Sequence, residues 1–147
     1  MATITASIQR TLYETHLSTD SQVIVADEPV DIGGQDKGMR PGELLAGSLA
    51  ACTVMTLRMY ADRKGWPLES AVAHVDYTND PETKRSLFTV RLILNGSLND
   101  EQRARLLEMA DRCPVHRTLQ NPIDFNTILV EDMRSTRKLS SITEATD

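Results

Sequence analysis

Residues 41–67 read PGELLAGSLAACTVMTLRMYADRKGWP, and this stretch decides the architecture. Pro41 can open a helix, because its missing N–H would be unpaired there anyway and its φ is preset; Glu43 then places negative charge at the positive end of the helix dipole. Gly65 supplies a stop and Trp66-Pro67 prevents continuation, so a helix is predicted to run to Lys64. From Leu44 to Leu57 no residue carries a charge, which predicts a helix buried on nearly all sides. That run is shorter than the roughly 20 apolar residues needed to cross a bilayer, and Ser48, Thr53 and Thr56 dilute it. It reads as a buried central helix, not a membrane span.

Upstream, Thr3 to Asp27 is rich in β-branched residues around a polar Ser18-Thr19-Asp20-Ser21 patch, the pattern of a β-hairpin. Asp27 to Arg40 contains Pro29, Gly33-Gly34 and Gly38, which is loop chemistry. It lacks the glycine spacing of a phosphate cradle. Downstream, Val72–Tyr77 and Leu87–Asn95 read as strands joined at Asn79-Asp80-Pro81-Glu82, the second placing Phe88, Val90, Leu92 and Leu94 on one face. Asn99 and Gln102 form a capping-box pattern that opens a second helix, with Leu106, Met109, Ala110 and Cys113 on one stripe. Pro114 disfavours helical dihedrals at Cys113, so this helix should end at about Arg112. Pro122 begins an expected last strand, Ile123–Val130. The result is one α+β domain over residues 1–133, followed by a polar tail, 134–147, that reads as flexible.

Lys+Arg 16 against Asp+Glu 21 gives a formal charge of −5 over 147 residues, with no basic block, which argues against nucleic-acid and anionic-membrane partners. An aromatic content of 4% argues against base-stacking platforms as well. The N-terminus has no basic segment followed by an apolar one, so no signal peptide is expected and the protein is placed in the cytoplasm. A helix apolar on all sides cannot be covered by one small sheet. A second copy is the simplest cover, and a two-fold homodimer is predicted.

The chain has two cysteines, Cys52 and Cys113. In a reducing compartment they can be core residues, metal ligands or a redox pair. Cys52 lies mid-helix, where the dipole does little; Glu43 falls roughly 180° and Arg58 roughly 120° around the helix from it, so activation must come from elsewhere. Cys113 lies at a helix end, where free N–H groups could stabilise a thiolate. If the two helices pack, the Cα atoms could approach to the roughly 5.5 Å of a disulfide. Cys113 and His116 have a Cys-x-x-His spacing, but a tetrahedral metal site would have only Cys52, His16 and His74 to complete it. A Cys113–His116 hydrolase pair rests on sequence adjacency alone. Neither a metal nor a cofactor is expected.

The stretch Pro41–Ala61, together with Cys113-Pro114-Val115-His116, resembles the OsmC/Ohr family of osmotically inducible and organic-hydroperoxide-resistance proteins, and the loop from Ala26 to Gly34 resembles its OsmC-like branch. The resemblance implies an intertwined homodimer in which antiparallel sheets wrap around two long central helices. It implies a thiol peroxidase for organic hydroperoxides, active in oxidative-stress defence, with Cys52 as peroxidatic thiol, passing through a sulfenic acid to a disulfide with Cys113. An external dithiol reductant, lipoyl-type in parts of the family, would restore both thiols. The family's glutamate directly follows the helix-opening proline. Here that position is Gly42, and the acid is Glu43. The family's activating arginine comes from the N-terminal β region, where Arg10 is the candidate, with Arg40 just before the helix as the other. The alternative is a dimeric binder of small apolar or electrophilic molecules with little peroxidase turnover.

Overall fold

A 24-residue helix, α1 (Pro41–Lys64), forms the spine of the molecule. The structure is a computed structural model that describes residues 2–131; the sequence-predicted tail, 134–147, lies outside the described residues. Glu43 accepts a hydrogen bond from the Arg40 N–H at 2.9 Å, closing the first turn. Gly65 ends the helix at φ 66°, in the left-handed region, and the Trp66 N–H donates back to the Ala61 carbonyl at 2.9 Å.

Two long strands, β4 (Leu68–Asp80) and β5 (Arg85–Gly96), form an antiparallel ribbon beside this helix. Ala71, Ala73 and Val75 pair with Leu94, Leu92 and Val90 on the face turned inward, as the alternation predicted. Gly96 adopts φ 133° at a point where a Cβ would fall 2.0 Å from the Pro67 carbonyl, so the ribbon can close against the α1–β4 connection only with glycine there. The core consists of Leu57, Ala61, Leu68, Leu98, Leu106 and Ala110. Leu106 and Ala110 come from α2 (Asp100–Ala110), opened by the expected reciprocal cap between Asn99 and Gln102. A short helix, α3 (Pro114–Gln120), follows and returns to α1.

Three sequence expectations are corrected. The N-terminal segment is a three-stranded antiparallel meander, β1 (Thr5–Ile8), β2 (Thr15–Ser18) and β3 (Val23–Ala26), because the chain turns a second time through residues 9–14. Residues 123–130 form no strand: Phe125 and Leu129 are almost fully exposed, and β-propensity without an adjacent strand edge makes no ladder. The central helix is not buried on nearly all sides within one chain. Ala46, Leu49, Thr53, Leu57 and Ala61 are buried as a single stripe, while Met55 and Met59 on the far side are exposed. By length and composition alone α1 would also pass for a membrane span. Its buried stripe, packed on β4, α2 and α3, makes it the central helix of a mixed domain.

Asp27 organises the loop that leads into α1. It is 2% exposed, and its carboxylate accepts four backbone N–H groups: Tyr13 and Glu28 at Oδ1, Gln35 and Lys37 at Oδ2. Burial pushes this carboxyl up, but the donors from Glu28, Lys37, Tyr13 and Gln35 outweigh it and hold it below the ordinary aspartate range. A depressed folded-state pKa gives stability that is present above the unfolded value and lost as pH falls through the folded one. Thermal unfolding across the acid range should therefore show Asp27→Asn melting lower than the parent near neutrality, with a shallower loss of Tm below about pH 4. Superimposable Tm profiles would remove the carboxylate from this role.

Candidate active site

The packing of α1 fixes where its thiol points. Thr53 lies in the buried stripe, and one residue is about 100° of helix rotation, so Cys52 falls at the margin of that stripe, half-buried. The partner thiol arrives on the α2–α3 connection. Cys113 precedes Pro114, which keeps it out of the helical region, and it adopts φ −55°, ψ 132° as the cap of α3. Its side chain is fully buried. Both cysteines are free thiols, and the Cys113 side chain is near enough to Cys52 to influence its ionisation.

Two further groups favour the Cys52 anion: the Val115 backbone amide, in the first turn of α3, and the Thr56 side chain, one turn along α1. Burial is the largest influence and pushes the Cys52 thiol up. The adjoining Cys113 side chain acts in the same direction, and the Val115 amide and Thr56 hydroxyl pull it back only in part. The net result is a thiol above the ordinary cysteine value. Among the described residues, no lysine, arginine or histidine acts on it.

The sequence-predicted site residues therefore separate into two groups. Cys52 and Cys113 come together. Glu43 lies nine residues earlier, roughly 13 Å along the helix axis, with its carboxylate on the Arg40 N–H. Arg10 is exposed in the β1–β2 connection, and Arg40 pairs with Glu28 at 3.5 Å. At Gly42 a side chain would begin 3.5 Å from the Tyr77 ring, which stacks on Phe88. Arg58 ties α1 to β4 through the Leu68 and Glu69 carbonyls. His116 faces Asp111 at 3.6 Å and His16 faces Glu14 at 3.1 Å. Among the described residues no three His, Cys, Asp or Glu side chains gather as a metal site.

Sequence reasoning missed Thr56 and Val115, although each carries a signal: Thr56 is four residues after Cys52, and Val115 is the first residue with a free N–H after Cys113-Pro114. It also assigned the N–H groups of that turn to Cys113, whereas the Val115 amide serves Cys52. The arrangement suits two-electron thiol chemistry. An oxidant would meet the more accessible sulfur first, with the buried one near it.

The mid-helix thiol and the second thiol ahead of a proline both lie within the stretch that matches the OsmC-like family. The chain belongs to that family, matching it as "OsmC-like protein" over residues 34–128. Among solved structures, an osmotic stress induced and detoxification response protein from Psychrobacter arcticus 273-4 is 25% identical, covers 80% of this chain and 88% of its own, and superposes with a TM-score of 0.69. An OsmC-like protein from Mycoplasma pneumoniae (22% identity, 88% of this chain and 96% of its own, TM-score 0.70) shares the fold. The organic hydroperoxide resistance protein OhrB of Bacillus subtilis also shares it (22% identity, 84% and 93%, TM-score 0.58). No curated protein sequence matches the chain significantly.

The thiol pair makes a direct prediction. Mild oxidation with diamide should close an intrachain Cys52–Cys113 disulfide, read as loss of both free thiols with no covalent dimer on a non-reducing gel. Cross-linked chains would show that the sulfurs do not meet within one subunit.

Proposed function

We propose that this protein is a thiol-dependent peroxidase that reduces organic hydroperoxides in cytoplasmic oxidative-stress defence. The observation that carries the reading is the nearness of a half-buried thiol on α1 and a fully buried thiol at the start of α3. The Cys52 thiolate attacks the outer peroxide oxygen and the O–O bond breaks; the departing alkoxide takes a proton to become the alcohol, and Cys52 is left as a sulfenic acid. The Cys113 sulfur then attacks the Cys52 sulfur. The S–O bond breaks, and hydroxide leaves with the Cys113 proton as water. A small dithiol, lipoyl-type in chemistry, reduces the disulfide by two exchanges and becomes a disulfide itself.

The working unit in this reading is a homodimer. Its support is the apolar surface that one chain leaves open: Met55 and Met59 on α1, Ile8 and Ile24 on the N-terminal sheet, and the unpaired segment with Phe125 and Leu129. A second copy would cover the free side of α1 and offer a strand edge to residues 123–130. It is also a natural source of positive charge that the described residues do not supply to Cys52, and Arg10 and Glu43 are assigned to the second copy's site.

One observation favours a second reading. A thiol held above the ordinary cysteine value is a slow nucleophile at neutral pH, which suits a dimeric binder of small apolar or electrophilic molecules with little turnover. The readings separate in one titration. About one equivalent of cumene hydroperoxide per chain should consume both thiols within minutes, and Cys113→Ser should stop at a dimedone-reactive sulfenic acid on Cys52. Two free thiols persisting over many minutes would refute the peroxidase and leave the binder.

A further inference from the structure

We propose that a thiol reducing the Cys52–Cys113 disulfide attacks Cys52 and expels Cys113, and that this order makes the site selective for dithiols over monothiols. The inference rests on the disulfide step of the peroxidase reading and names the sulfur through which the reductant works. Cys113 is 0% exposed, set between the end of α2 and Pro114, while Cys52 stands half-buried at the margin of the α1 stripe. Ser48, four residues before Cys52, and Met55, three residues after it, are its neighbours on the helix surface, and both are exposed. The open side of Cys52 therefore faces away from the core. Exchange begins when a thiolate reaches one sulfur of the disulfide, and access decides which. A sulfur with no exposed surface offers no approach. Assembly with a second copy covers surface and adds none, so it can narrow the path to Cys52 without opening one to Cys113.

The first exchange forms a bond between the reductant sulfur and Cys52. The bond between Cys52 and Cys113 breaks, and Cys113 leaves as a thiolate and takes a proton. The mixed disulfide on Cys52 then stands beside the thiol it displaced. By attacking Cys52 again, Cys113 restores the original disulfide and returns the reductant as a thiol. A second monothiol has to arrive from solution faster than this internal return. The second thiol of a dithiol is already tethered: it attacks the reductant's own bonded sulfur, closes a cyclic disulfide, and releases Cys52 as a thiolate that takes a proton. Two electrons pass from the dithiol, whose two sulfurs are oxidised, to Cys52 and Cys113, which are reduced. Tethering gains orders of magnitude over a bimolecular encounter.

The test uses the full-length protein oxidised with diamide, so that no peroxide is needed, and two uncharged reductants, 2-mercaptoethanol and dithiothreitol. Samples are quenched in acid during reduction by 2-mercaptoethanol, unfolded, alkylated and mapped by peptide mass spectrometry. The mercaptoethanol adduct should lie on Cys52 with Cys113 alkylated; in the urea-unfolded chain, where both sulfurs are open, the adduct should divide between the two. At matched thiol concentration, the advantage of dithiothreitol in restoring free thiols should be about tenfold larger in the folded protein than in the unfolded chain. An adduct on Cys113, or one divided between both sulfurs in the folded protein, overturns the proposal, as does a dithiol advantage no larger than that of the unfolded chain. Adduct on Cys52 in a protein that leaves cumene hydroperoxide intact would refute the peroxidase and keep the order of exchange. Adduct on Cys113 in a protein that consumes it would refute the order alone. If diamide closes no intrachain bond, both fall together.

Discussion

The rotation of α1 against the β4–β5 ribbon is the constraint on which everything else depends. Ala46, Leu49, Thr53, Leu57 and Ala61 follow one another at intervals of three and four, and their burial sets the helix at one angle about its axis. Arg58 keeps that angle by donating to the Leu68 and Glu69 carbonyls at the start of β4. With the stripe fixed, Cys52 has no freedom to be core or surface. It stands at the margin, within reach of the segment that brings Cys113 and Val115 in from α3. Rotating α1 by one residue would bury the sulfur beneath the ribbon or turn it to the exposed face that carries Met55 and Met59.

The electrostatics of the site follow from the same placement. A half-buried sulfur loses water, and its neighbour is another thiol, so both influences favour the neutral form. Against them stand an amide and a hydroxyl, and, among the described residues, no full positive charge. The described residues therefore hold two sulfurs close together with a thiol only partly prepared for nucleophilic attack. The apolar surface left open on α1 and on the N-terminal sheet lies in the same molecule. A second copy would remedy both deficits at once.

Much of this was legible in the residues. Pro41, Gly65 and Trp66-Pro67 delimited α1 because they act locally on the backbone, and the alternation from Phe88 to Leu94 placed β5 and its inward face correctly. Pro114 forecast an end to the second helix near Arg112, close to its observed end at Ala110, but the short helix α3 that Pro114 opens was not foreseen. Features that depend on distant partners were not legible. Residues 123–130 have the composition of a strand, but pairing needs an edge that sequence does not display. Asp27 read as part of a polar loop, although its carboxylate is the point where four amides from different parts of the chain converge. Glu43 was a candidate for chemistry as well as for the helix dipole, and within its own chain it accepts the Arg40 N–H. The family resemblance added the pairing of two sulfurs that spacing alone had permitted without requiring.

The most direct test of the central claim, that α1 and α3 hold two sulfurs poised to bond as peroxide is reduced, is a crystal structure of the protein after brief exposure to an organic hydroperoxide. The account predicts continuous density between the Cys52 and Cys113 sulfurs within one subunit, with the stripe from Leu49 to Ala61 still packed on β4. Overoxidised Cys52 beside an intact Cys113 thiol, or unmodified sulfurs at full exposure to peroxide, would contradict it.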